Sequence, residues 1–200
     1  MAIKFQYNKT ALQLLRKQLN VRVRALPTLK NKEAALRLEV KKAKDTADAL
    51  QHRLKKKLQE YEHAILIWGE FDNSLVAVKD IELSIKKIAG VKTPVLQNVF
   101  FEIGEFSMFS KPSWYLDGIN IIKELASIGI EREVFLEKMH LLEHARHKTT
   151  QKVNLYEKVQ IPGFQEAILK IKRFMEDEEN LSKASQKIVK NRLLAMEESV

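Results

Sequence analysis

Apolar residues recur every seven positions between Leu12 and Trp68. One series reads Leu12, Leu19, Leu26, Glu33, Val40, Ala47, Leu54, Tyr61 and Trp68. A second, offset by three, reads Leu15, Arg22, Leu29, Leu36, Ala43, Leu50, Lys57 and Ala64. Eight of the nine and six of the eight are apolar, while the intervening positions are mostly Lys, Arg, Glu, Gln and Asp. A 3.5-residue spacing kept up this long predicts a coiled-coil seam rather than the surface helix of a globular core. At 1.5 Å per residue the segment reaches roughly 85 Å. Asn8 or Thr10 is suited to cap its first turn. Pro27 removes one helical hydrogen bond and predicts a kink or short break, although the heptad phase continues through it. Gly69, Asp72, Asn73 and Ser74 mark the close.

The periodicity then changes. Val76 to Ile88 and Val95 to Ile103 are alternating or β-branched stretches around Ala89-Gly90-Val91-Lys92-Thr93-Pro94, which predicts a β-hairpin with Pro94 at a strand start. Phe100, Phe101, Phe106, Phe109, Trp114 and Tyr115 crowd the following residues and predict a small aromatic core. Ser110 to Ser113 reads as a loop and Trp114 to Ile128 as a short amphipathic helix. From about Glu131 to Met196 a second long helical stretch carries Val134, Met139, Leu142, Val153, Tyr156, Val159, Phe164, Ala167, Ile171, Phe174, Leu181, Ile188 and Ala195, interrupted at Pro162-Gly163. Two long stripes of similar length close most simply by folding back on each other. The expected architecture is mainly all-α. It is a long antiparallel two-helix coiled-coil hairpin (1–74 and 131–200) with a small α/β head (75–130) containing a β-hairpin. The seam is assigned to Leu12, Leu15, Leu19, Leu29, Leu36, Leu50, Leu54, Val153, Tyr156, Ile171, Leu181 and Ile188.

Composition narrows the function. Only six Gly and four Pro in 200 residues favour long uninterrupted helices. Cysteine is absent, so thiol catalysis, disulfides and cysteine–metal sites are excluded. The first residues carry no apolar leader core, and the longest apolar run, Ala64 to Trp68, is far short of a bilayer span, which predicts a soluble chain with no direct membrane insertion. The net charge of +9 is uneven. Between Lys30 and Lys57 stand ten Lys or Arg against four acids, a stripe that would suit nucleic acid, acidic lipid or an acidic protein sleeve, or simply a solvated helix face.

Sites for chemistry are missing. No phosphate-binding Gly-Lys-Ser/Thr loop, dinucleotide fingerprint, HExxH or GxSxG occurs. His140, His144 and His147 share helical spacing, but no carboxylate completes a ligand set, so packed or exposed imidazole is the expectation. The acidic run Glu176 to Glu179 reads as a solvated face able to pair with basic residues of the first helix. Neither metal nor cofactor is expected, and the basic stripe lacks a nucleic-acid recognition motif.

Particular stretches resemble a known family. Leu29-Lys30-Asn31-Lys32-Glu33-Ala34-Ala35-Leu36 is similar to the first-helix L-K-x-K-x-x-x-L stretch of the D subunit of V-type (A/V-type) ATPases. Thr149 to Pro162 resembles that family's second-helix signature through Thr150, Val153, Asn154, Glu157, Ile161 and Pro162. Ile88 to Val95 is similar to its Gly-Val-x-x-Pro turn. The resemblance implies a non-catalytic central rotor axle. Its helix pair would enter a ring of A and B subunits, and its outer part would bind the small F subunit and the subunit connecting to the membrane rotor. Torque would pass between ATP chemistry and proton or sodium movement. The implied location is cytoplasmic, peripheral to the membrane through the complex.

Overall fold

A computed structural model describes residues 4–61, 71, 75–105, 112 and 114–197. The order of elements is helix α1 (Lys9–Glu60), strands β1 (Val76–Ile88) and β2 (Val91–Ile103), helix α2 (Tyr115–Asn154), a π-helical segment (Leu155–Gln160) and helix α3 (Ile161–Glu197). The chain is therefore mainly helical, with one two-stranded antiparallel hairpin among the described residues. It divides into two compact units, Met1–Asn31 with Thr149–Val200, and Lys32–Lys148.

Helix α1 begins where the sequence suggests. The Asn8 side-chain oxygen accepts the Ala11 N–H at 2.6 Å, the bond of an N-terminal cap. Every described position of both heptad series, Leu12 through Tyr61, is buried or half-buried. Pro27 does not break the helix, which continues as one element from Lys9 to Glu60. Pro27 lies on the exposed face, as does Val23, whose carbonyl it leaves without an N–H partner, so water can satisfy that carbonyl. The expected close at Gly69 and Asp72 to Ser74, and the seam positions Ala64 and Trp68, lie outside the described residues.

In the first unit, Leu12 and Leu15 of α1 form a core with Phe164, Ala167 and Ile171 of α3, and Leu19, Ile168 and Met175 pack around it. Tyr7 packs against Phe174 in a tilted arrangement with ring centroids 4.8 Å apart. The interruption expected at Pro162-Gly163 takes another form. Pro162 has no N–H to give to the preceding turn, and its ring crowds the carbonyl there. The helix responds by widening just before it: the Ile161 N–H reaches back five residues to the Tyr156 carbonyl. The axis continues into α3 instead of ending.

The second unit holds the hairpin. Ala89 and Gly90 both have positive φ (49° and 82°), the two-residue turn that matches strand twist. Strand β2 starts at Val91, not Val95, so Pro94 sits inside the strand and pairs with Ile85. Bulges at Lys79 and Gln97 shift the register twice. Thr93 is fully buried and donates its hydroxyl to the Lys86 carbonyl at 2.9 Å. At the hairpin base, Gly104 N–H donates to the Leu75 carbonyl. Phe71, Leu75, Tyr115 and Ile119 form a core there, bordered by Val76, Trp114 and Ile122.

The aromatic expectation holds only in part. Tyr115 is buried and Trp114 half-buried, but Phe100 is exposed, because a two-stranded ribbon has no further layer to cover both faces. Phe106 and Phe109 lie outside the described residues. The separate helices expected at Trp114–Ile128 and from Glu131 are one element, α2. Gly129 costs a helix interior about 1 kcal/mol, too little to end one packed along its length.

Candidate functional site

The residues with the clearest assignable task are those that pair one helix with another. Of the seam positions, Leu12, Leu15, Leu36, Leu50, Val153 and Ile171 are buried, with Leu36 and Ile171 at 0 % exposure. Leu19, Leu29, Leu54 and Tyr156 are half-buried. Leu181 and Ile188 are not seam residues within this chain, being 70 % and 55 % exposed. Register explains it. The pairings Arg22–Gln160 and Tyr7–Phe174 set an antiparallel alignment in which Leu181 lies beyond the start of α1 at Lys9. From Glu176 to Met196 every side chain is exposed. The acidic run accordingly does not reach α1; Glu179 pairs with Lys183 of its own helix at 2.7 Å.

Two of the three polar residues that break the apolar heptads, Arg22 and Lys57, are each matched by a partner on another helical segment. Arg22 donates Nε–H to Gln160 Oε1 at 2.6 Å and Nη1–H to the Gln18 carbonyl, with its guanidinium 4.5 Å from the Phe164 ring centroid. Arg22 is thus solvated by protein, not left as a charge in an apolar seam. In the other unit Lys57 lies 3.2 Å from Glu124 of α2. The hydrogen bond to Glu124 raises the Lys57 pKa above the ordinary lysine value; Coulombic attraction by Glu124, Tyr61 and Glu60 adds to it, and partial desolvation opposes it. Both residues were visible in the sequence as departures from the heptad, but their partners, more than sixty residues away, were not.

Part of the signature falls on the same pairing surfaces, with Leu36 and Val153 buried. Lys30 Nζ contacts Glu157 Oε1 at 2.7 Å, joining α1 to the π-helical segment. Lys32 reaches the hairpin turn: a Cβ on Gly90 would sit 3.6 Å from its Nζ. Thr150 and Ile161 are half-buried, while Asn154 and Pro162 are exposed. His140, His144 and His147 are exposed on α2, and among the described residues no three His, Asp or Glu are grouped to hold a metal ion. No described helix is long and apolar enough to cross a membrane.

The arrangement aligns helices and holds them in register. Comparison with known proteins shows the family. The family model for the ATP synthase D subunit matches residues 11–191. The V-type ATP synthase D subunit of Borreliella burgdorferi is 28% identical over 197 residues, covering 96% of both chains. Its namesake in Chlamydia trachomatis serovar L2 is 27% identical over 198 residues, covering 96% of this chain and 98% of its own. That of Chlamydia pneumoniae is 28% identical over 186 residues, 88% and 87% of the two chains. With a match running nearly end to end, this chain belongs to the ATP synthase D-subunit family.

Proposed function

We propose that the chain is the non-catalytic central rotor axle of a V-type ATPase or ATP synthase. In this reading it transmits torque between an ATP-hydrolysing ring of A and B subunits and a membrane rotor that moves protons or sodium. The F subunit and a connecting subunit bind its outer part, and the assembly lies on the cytoplasmic side of the membrane. The observation that carries the reading is the matched seam. An axle must resist twisting, and a helix pair resists it only where side chains interlock across the pair. Leu36 and Ile171 without exposure, and Arg22 and Lys57 answered by Gln160 and Glu124, meet that demand. The length of α3 past its partner, carrying exposed Leu181 and Ile188, suits insertion of this end into a surrounding bore.

The test uses the assembled complex. Leu36→Asp or Leu50→Asp places an unpaired carboxylate in the seam, at a cost of several kcal/mol. Such variants are expected to hydrolyse ATP without moving ions. Removal of residues from Lys183 onward is expected to weaken engagement with the ring while leaving the hairpin folded. Full coupling in the seam variants and the truncation alike would refute the axle.

A further inference from the structure

We propose that the groove beside the widened turn of the first unit binds a small amphipathic carboxylate, a short fatty acid with its head at Lys152 and its chain between α1 and the π-helical segment. This inference does not depend on the rotor reading. The packed seam has a gap there. Helix α1 buries Leu12 and Leu15 and then, among the described residues, nothing from Arg16 to Asn31. The returning helix buries Val153 and Phe164 and nothing between them. The gap forms a cavity of about 600 Å³, the size of built small-molecule sites.

The widened turn accounts for the gap. A π turn spaces side chains differently around the axis from the 3.5-residue period of a seam, so the interlock lapses over Leu155–Gln160. On α1 the groove is lined by Ala25, whose methyl is too short to fill it, and by Leu29. Leu155 and Tyr156 line the returning side, so the walls are mostly apolar. Polar ties, Arg22 to Gln160 and Lys30 to Glu157, hold the helices together here without filling the space.

Charge selects the head group. Among the described residues lining the groove, Lys152 is the one with a charge, and it is exposed. The carboxylate nearest to it in sequence, Glu157, already lies 2.7 Å from Lys30. Arg22, 5.9 Å from the Tyr156 ring centroid, is met by the neutral Gln160 and keeps its positive charge. Apolar walls under a positive potential favour an apolar body with an anionic head and disfavour a cationic one. A single lysine suits a monoanion.

The probes are sodium octanoate, octanol and octylammonium chloride, titrated against the full chain by ligand-observed NMR. Octanoate is expected to bind about tenfold or more tightly than either of the others. Its affinity should exceed that of hexanoate by about three- to fourfold per added CH2. Lys152→Glu should reverse the preference between octanoate and octylammonium, and octanoate should raise the melting temperature of the unaltered chain but not of this variant. Ala25→Trp fills the groove and should weaken octanoate by about tenfold or more; if it unfolds the chain, the charge reversal alone decides. Equal affinity for the three probes, or octanoate binding unaltered by Lys152→Glu, would overturn the proposal. So would full octanoate affinity in a folded Ala25→Trp chain.

Discussion

Arg22 Nε lies 2.6 Å from Gln160 Oε1, a bond that joins two residues 138 positions apart and fills a heptad position where leucine would be expected. A polar group in a seam costs stability unless it is met, and when met it fixes the alignment of the two helices. Arg22 cannot keep both Gln160 and the Phe164 ring if α3 slips by a turn. The same logic applies to Lys57 and Glu124 in the other unit. A double-mutant cycle on Arg22→Ala and Gln160→Ala should give a coupling of about 0.5–1.5 kcal/mol in urea unfolding. Additive effects would mean that the bond does not contribute to register.

Burial separates the seam from its apparent continuation. Leu36→Ala removes a side chain with no exposure and is expected to cost about 2–5 kcal/mol. Leu181→Ala, on the exposed end of α3, should change the stability of the free chain by less than about 0.5 kcal/mol. Denaturant midpoints of the two variants check this directly; equal losses would place Leu181 back in a seam.

Pro27 and Ala89 are backbone tests. Pro27 sits on the exposed face of a continuous helix, so Pro27→Ala restores a hydrogen bond and should stabilise the chain by up to about 3 kcal/mol, seen as a higher melting temperature. A lowered melting temperature would show that the fold needs the proline's local geometry.

Ala89 holds a φ of 49° beside Gly90, a conformation asparagine tolerates better than alanine. Ala89→Asn creates the Asn-Gly pair preferred in this turn and should stabilise the hairpin by about 0.5–1 kcal/mol. Thermal unfolding reports it, and a neutral or negative effect would contradict the turn assignment.

Stability should fall at both ends of the pH range. Hydrogen bonding to Glu124 raises the Lys57 pKa, so that contribution is complete below the ordinary lysine value and lost as pH climbs through the raised one. The hydrogen bond from Lys170, reinforced by its charge, lowers the Glu166 pKa, so that contribution is complete above the ordinary carboxylate value and lost as pH drops through the lowered one. Urea midpoints measured against pH test the shape. Lys57→Gln should blunt the alkaline fall, and an unaltered fall would assign it to other groups.

The heptads made α1 legible almost residue by residue, because a seam leaves a period that needs no knowledge of the partner. The hairpin was legible from Ala89-Gly90 and the β-branched runs, though Pro94 misled about where β2 begins. A proline can sit inside a two-stranded ribbon because each strand has an open edge on which its missing N–H is not needed. The change of pattern between Ile128 and Glu131 and the pair Pro162-Gly163 misled in the opposite direction. Both read as interruptions, but α2 runs unbroken through the first, and the widened turn at Leu155–Gln160 accommodated the proline. The exposure of Leu181 and Ile188 was not legible, since heptad spacing gives a face but not the length of what covers it. For the same reason the partners of Arg22 and Lys57 emerged only from the folded chain.

An axle that turns inside a ring and carries torque can be watched turning. The absence of cysteine allows one label site, and exposed Lys87 beside the hairpin turn suits it. A reporter rod attached through Lys87→Cys, on complexes fixed by their A and B ring, should rotate in one direction on ATP addition. A rod that stays still, or only jitters at random while ATP is hydrolysed, would contradict the account.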